Sequence, residues 1–258
     1  MSPRSFEQWA VVALLLPAAA AYTLNPCAAR HTPLAVGTAP LRVSLVRRMC
    51  VAAPVEAPLD SEDIIDELLD LVEDAEEVCD RGIGAPSDLA EDILEVIGEL
   101  EGMCPVSSNW GNSPVLAGRW RLRYTSSKTF ANNLGLTGYA RDLAGVSTPA
   151  TFMRVQTQFK RLVYEETLAF EKGSLAAMFG KFSNAETVQV ECRWSETREG
   201  AMAVESQLVV VGSNSWQPAD RQDKAVRALG AARPVYLDEE LLVMRSQPDY
   251  IVWVFTKP

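Results

Sequence analysis

The chain has 258 residues, 48% hydrophobic and 22% charged, which is ordinary for a folded protein and excludes disorder as its default state. Its net charge of −10 is unevenly spread: residues 1–50 carry five Arg and one Glu, Glu56 to Glu101 carry 18 acidic residues against Arg81 alone, and Gly102 to Pro258 carry 15 acidic and 18 basic residues. No strongly basic patch with interleaved aromatics occurs, which argues against nucleic acid as a partner.

Trp9 to Ala20 (WAVVALLLPAAA) form a short apolar run behind Arg4 and ahead of small residues. That order predicts a cleavable secretory signal over residues 1–21, since the run is too short to span a bilayer comfortably. From Tyr22 to Val55 there is no acidic residue, while Arg30, Arg42, Arg47 and Arg48 sit among Ala, Ser, Thr, Val and Pro. This is the composition of a transit peptide. A signal followed by a transit-like stretch over 22–55 resembles the two-part presequence of algae whose plastids are wrapped in extra membranes. Ala21–Tyr22 is similar to the junction of such presequences. The alternative is a secreted protein with an N-terminal linker. The mature chain is expected to start between Met49 and Pro58, so that His31, the only histidine, is lost with the leader.

Residues 56–105 read as an acidic helical hairpin. From Asp60 to Cys79, apolar residues including Ile64, Leu68, Val72 and Ala75 recur at spacings of three and four with acidic residues between them. Gly82, Gly84 and Pro86 stop this helix, and a second starts at Ser87 or Asp88, carries Leu89, Ile93, Leu94, Ile97 and Leu100 along one side, and ends by Pro105. The carboxylates lack the spacing of an EF-hand loop, and an anionic face repels anionic lipid. They form either a solvated face or a dock for a basic partner.

Beyond residue 106 the period switches from 3.6 to 2. Trp120, Leu122 and Tyr124 alternate with Arg119, Arg121 and Arg123. Further strands are predicted over Thr151–Phe159 (Met153, Val155, Thr157 and Phe159 on one face), Leu162–Phe170, Thr187–Glu196 (Val188, Val190, Cys192, Trp194), Ala201–Val211 (Met202, Val204, Ser206, Leu208, Val210), Tyr236–Arg245 and Tyr250–Phe255. Gly200, Gly212–Asn214 and Gln247–Asp249 supply turns. Asn132–Pro149 read as a loop or short helix over a barrel mouth, and Ser174–Phe182 and Ser215–Pro234 as irregular inserts, the former exposing Met178 and Phe179 to a core or a lipid surface. The fold class is therefore mainly β: a lipocalin-like antiparallel β-barrel over 106–258 preceded by the acidic α-helical hairpin, with a β-sandwich as the competing architecture. Trp120, Leu122, Tyr124, Val155, Val190, Trp194, Leu208 and Trp253 are the expected interior, lipid-contacting side chains. Burial at about 0.8 kcal/mol per methylene means ten methylenes supply about 8 kcal/mol, so an apolar barrel needs little special chemistry to hold a lipid.

Polar residues give no catalytic constellation. There is no G-x-S-x-G, P-loop or dinucleotide fingerprint, and without His31 no Ser/His/Asp set is possible. Cys27, Cys50, Cys79, Cys104 and Cys192 show no CxxC spacing; they read as small semi-buried side chains, with a Cys79–Cys104 bridge as a lesser alternative. Neither metal nor cofactor is expected. Asp238, Glu239 and Glu240 are adjacent, so on a strand they point to opposite faces. They suit satisfaction of backbone amides, or of Arg245, better than acid–base work. Arg119, Arg121 and Arg123 either help docking to a lipid surface or pair with the acidic helices.

Leu116-Ala117-Gly118-Arg119-Trp120-Arg121-Leu122-Arg123-Tyr124-Thr125-Ser126-Ser127 and Val235-Tyr236-Leu237-Asp238-Glu239-Glu240-Leu241 resemble the opening and closing motifs of the plastid lipid-associated protein (fibrillin) family. Leu100-Glu101-Gly102-Met103-Cys104-Pro105 is similar to the segment joining helix pair and barrel, with Cys104 where Asn is usual. Tyr236, Asp238, Glu239 and Arg245 are family-motif positions; Ser246 replaces a common Gly and Leu242 a frequent Arg. The resemblance covers roughly Asp63 to Phe255. It implies a non-catalytic protein of plastoglobules or thylakoid membranes that binds or organises an apolar lipid (carotenoid, quinone or other isoprenoid). It also implies a peripheral membrane or lipid-particle surface as partner, and in some members a plastid enzyme of prenyl-lipid synthesis.

Overall fold

The computed structural model describes residues 61–103, 106, 109–171, 185–220, 226, 231–246 and 251–258. The leader, Cys104–Pro105, residues 174–182 with Met178 and Phe179, and the turn at 247–249 lie outside the described residues.

The apolar stripes predict two helices, and α1 (Ser61–Val78) and α2 (Ser87–Met103) match them closely. Ile64, Leu68, Val72 and Ala75 of α1 and Ile93, Val96, Ile97 and Leu100 of α2 are buried. The alternating segments give nine strands: β1 (Gly118–Thr125), β2 (Val146–Gln156), β3 (Arg161–Phe170), β4 (Ala185–Glu196), β5 (Met202–Val211), β6 (Asn214–Trp216), β7 (Ala232–Leu237), β8 (Leu241–Ser246) and β9 (Val252–Thr256). Short helices α3 (Lys128–Asn133) and α4 (Tyr139–Asp142) occupy the β1–β2 connection.

All strands form one antiparallel sheet in the order β6-β5-β4-β3-β2-β1-β9-β8-β7. The ladder does not close into the expected complete barrel. The sheet is nevertheless rolled: β5 approaches β7, and side chains from β1–β5, β7, β8 and β9 meet in one core of Trp120, Leu122, Met153, Tyr164, Val190, Met202, Ala232, Met244 and Trp253, among others. A flat sheet cannot bring those strands together. The fold is mainly β and compatible with the lipocalin-like class.

A second core lies on the outer face of β7–β9 and the end of β1. There Tyr124, Val235, Leu241, Val243, Val252 and Val254 pack beneath α1 and α2. β9 accordingly reads BBBB from Val252 to Phe255, as a strand buried on both faces should. Salt bridges pin the helices to the sheet. Arg123 Nε and Nη2 donate to Glu76 Oε1 and Oε2 at 2.6 and 2.7 Å, and Glu101 of α2 accepts from Arg233 and, at 3.1 Å, from Arg245.

Four expectations change. Tyr236–Arg245 is a hairpin, not one strand, because the Asp238 carboxylate takes the amides of Glu240 and Leu241 at 2.7 and 2.6 Å and turns the chain. β2 ends at Gln156, and the turn at residues 157–160 leaves Phe159 72% exposed instead of in the core. Cys79 is a free thiol that donates to the Ala75 carbonyl at 2.9 Å, so it forms no bridge to Cys104. Arg245 pairs with Glu101, not with the Asp238 cluster.

Glu101→Ala should leave both Arg233 and Arg245 without their shared partner. Because all three are partly solvated, the loss expected is about 1–2 kcal/mol, read as a lower urea midpoint at constant slope.

Candidate functional site

The interior of the roll is where the sequence places its lipid-contacting side chains. Trp120, Leu122, Val155, Val190, Trp194 and Trp253 converge there, each at most 3% exposed. Two others do not. In the β1–β9 ladder Leu122 faces Phe255 and Tyr124 faces Val254, so Arg123 is an extra residue. That bulge rotates Tyr124 to the outer face beneath the helices. In the β4–β5 ladder Glu191 faces Leu208 and Cys192 faces Ser206, which leaves Gln207 extra. Past this bulge the inward phase passes to Val209 and Val211, and Leu208 is half-buried on the outer face.

One end of the roll is closed by aromatic and cationic side chains. Trp110, in a 3₁₀ turn before β1, stacks on Trp194 with centroids 5.9 Å apart and donates Nε1 to the Gly200 carbonyl at 3.0 Å. Lys160 Nζ lies 4.2 Å from the Trp194 ring centroid and donates to Gly111 O at 2.8 Å and Asn112 Oδ1 at 3.0 Å. Trp120 Nε1 donates to Leu116 O at 2.9 Å, which ties the same segment to β1.

The opposite end holds a buried polar cluster that sequence reasoning did not single out. Arg81, in the turn between α1 and α2, is 5% exposed and enters the roll. Nη1 donates to Thr151 Oγ1 at 3.0 Å, Nη2 to Asp80 at 2.7 Å and to the Thr148 carbonyl, and the guanidinium lies 5.4 Å from the Phe130 ring centroid. A register shift between Ser147 and Ala150 lets β2 turn both Thr148 and Thr151 inward. Phe130 meets Trp253 edge-on at 6.2 Å, joining this cluster to the apolar interior. The turn sits close because Gly82, at φ +89, has no Cβ to strike the Thr125 carbonyl, and Thr125 N donates to Arg81 O at 3.1 Å.

Glu166 of β3 balances that charge. It is 1% exposed and accepts from Leu136 N at 2.6 Å, from Thr137 N at 3.0 Å and from the Thr137 hydroxyl. Burial pushes its carboxyl above the usual range; the Thr137 hydroxyl, the two amides and the Arg81 charge pull it back. Burial likewise holds the Tyr164 phenol well above its ordinary value, with Cys192 adding to the effect. Two signals were present in the sequence. Arg81 is the sole base in an acidic segment, and Glu166 falls on the apolar phase Leu162, Tyr164, Leu168 of β3.

Among the described residues, Tyr164 OH, Trp253 Nε1, Asn133 Nδ2 and Arg81 Nε are buried without a hydrogen-bond partner. No group of three or more His, Cys, Asp or Glu among those residues is placed to hold a metal ion, and no helix among them is long and apolar enough to cross a membrane. Tyr236 OH donates to Asp238 Oδ2 at 2.8 Å, Glu239 is exposed, and Asp238 staples the β7–β8 turn. These motif residues therefore shape the hairpin and do not line the interior.

The sequence model of PAP_fibrillin matches residues 62–252, which spans the helix pair and the sheet through the start of β9. The chain belongs to the PAP_fibrillin family. No curated protein and no solved structure matches it. Fibrillin-family proteins are lipid-associated proteins of plastids and are in general structural and non-catalytic. The family match covers the two ends of the fibrillin domain from which the resemblance was drawn.

Gly135→Ala should be severely destabilising, by about 3 kcal/mol or more. Its φ is +142, and a Cβ there would collide with Glu166 Oε1 and meet Thr148 Oγ1 at 3.0 Å. Thermal melting checks this. Glu166 also carries a pH signature. The folded protein holds its proton more tightly than the unfolded chain, so its contribution is largest below the ordinary Glu range and is lost as pH rises through the raised value. Urea titrations of wild type and Glu166→Gln across pH 4 to 8 should show wild type losing ground as pH rises from about 4. A wild type that gains ground would mean that the hydrogen bonds outweigh burial.

Proposed function

We infer that this protein binds or sequesters an apolar isoprenoid-type lipid within its rolled sheet, at plastoglobules or thylakoid membranes. The observation that carries this reading is the continuous apolar inner face, sealed at one end by Trp110, Trp194 and Lys160. Tyr164 OH and Trp253 Nε1 support an occupant bearing an acceptor oxygen, a quinone or oxygenated carotenoid, over a bare hydrocarbon, since both are donors left unpaired in an apolar surround. The transit-like composition of residues 22–55 behind an apolar signal supports delivery to the plastid by a two-part presequence, with 56–258 as the working part.

A second reading is favoured by the solvent side of α1 and α2, which is acidic along both helices, with no basic residue in either last turn. That surface suits a scaffold that docks a basic patch on a prenyl-lipid biosynthetic enzyme.

Mass spectrometry of lipids retained by the purified protein after incubation with a plastid lipid extract separates the two. One isoprenoid class, oxygenated and near one molecule per chain, is expected. Val190→Phe, which adds volume to the interior without adding charge, should lower that recovery several-fold while the protein still melts cooperatively. A sheet that emerges empty moves the assignment to the scaffold, to be tested by pull-downs with charge-reversed helices.

A further inference from the structure

At the end of the roll that carries the β2–β3 turn, a surface concavity of about 600 Å³ is lined by Gln156, Phe159, Lys160, Arg161, Arg193 and Trp194. Three of these six are cations and none is a carboxylate. Arg161 and Arg193 are direct cross-strand partners. Like charges in that position are destabilising, and among the described residues neither Arg has an ion pair. The nearest outward neighbour on β5, Glu205, is in register with Arg193 but does not bridge to it. Beside this pair the β2–β3 turn holds Phe159, 72% exposed and the most exposed large apolar side chain of the described residues. Lys160 is held in place by its bonds to Gly111 and Asn112, so the turn presents Phe159 on a rigid base.

Where the helices cover the sheet, the charge runs the other way. The strands β7–β9 are covered by the acidic helices, several strands around the roll from β3 and β4. The protein is thus electrically two-sided. An anionic bilayer would repel the helical side and attract the side bearing Arg161 and Arg193.

We propose that the β2–β3 turn and the Arg161/Arg193 cradle form a docking surface for an anionic lipid bilayer, with Phe159 entering the headgroup layer and the two guanidinium groups taking lipid phosphate or sulfonate oxygens. A lipid anion between the two arginines removes their repulsion, and an aromatic ring flanked by cations has the chemistry of an interfacial anchor. This inference rests on the lipid-surface part of the proposed function and not on what the interior holds. The acidic helices then face away from the bilayer, free for a protein partner.

The test uses the full chain with vesicles of phosphatidylcholine containing about a third phosphatidylglycerol, and with phosphatidylcholine alone. Sedimentation with the anionic vesicles should weaken by roughly fivefold for each of Arg161→Gln and Arg193→Gln and by about tenfold for Phe159→Ser. It should also weaken steeply with added salt. The Arg variants should melt no lower than wild type, because each relieves a like-charge contact. Hydrogen exchange on vesicle addition should slow at residues 157–161. Undiminished binding by the double Arg variant, or protection appearing only in the leader or helices, overturns the proposal. So does protection of 157–161 that needs no vesicle and grows with protein concentration, which would assign the cradle to the acidic helices of a second copy. Retained lipid in the interior with no vesicle docking sinks this inference alone; docking with an empty interior sinks only the lipid-holding reading.

Discussion

Burial of the sheet on both faces around β1, β9 and β8 is the constraint from which the remaining architecture follows. The inner face there joins the core of the roll, through Leu122, Leu242, Met244, Trp253 and Phe255. The outer face carries Tyr124, Val243, Val252 and Val254, which would stand in water without α1 and α2. The helices have the complementary need, since neither can hide its apolar stripe alone. One extra residue in β1, Arg123, serves both faces. It turns Tyr124 outward into the helical core, and its guanidinium is itself the bidentate partner of Glu76.

The second point of attachment is of a different kind. At the turn between α1 and α2 the link to the sheet is a buried cation. Arg81 carries charge into the end of the roll, where Thr148, Thr151 and Phe130 receive it and Glu166 offsets it. A buried cation left without these acceptors would be strongly unfavourable, and Asp80 completes its set at 2.7 Å. Glu166 also holds Leu136 and Thr137, which places the β1–β2 connection over the same end. The helix pair, the covering connection and the interior therefore meet at one polar cluster. A change in any of them is felt by the others.

The ends and sides of the roll differ in character. One end is closed by neutral aromatic stacking braced by Lys160, the other by the Arg81–Glu166 cluster. One side of the outer surface is acidic and helical, while the other is free of helices and carries the Arg161–Arg193 pair.

Much of this was legible in the sequence. The 3.6-residue period of the acidic segment gave both helices to within a residue or two, because their apolar faces had only one way to be buried. The period-2 runs located most strands and six of eight interior side chains. What period alone cannot show is a bulge: one added residue reverses the phase of everything beyond it, which moved Tyr124 and Leu208 to the outer face. Nor could it divide Tyr236–Arg245, where a carboxylate taking two backbone amides made a turn from what reads as strand. Composition and alternation thus determined by themselves a mainly β protein with an acidic helical hairpin and an apolar interior. Only the tertiary structure decided that the ladder stays open, that Arg81 meets Thr148 and Thr151 across about 70 residues of chain, and that Arg161 faces Arg193. Those pairings join residues far apart in sequence, and register, not local propensity, sets which side chains meet.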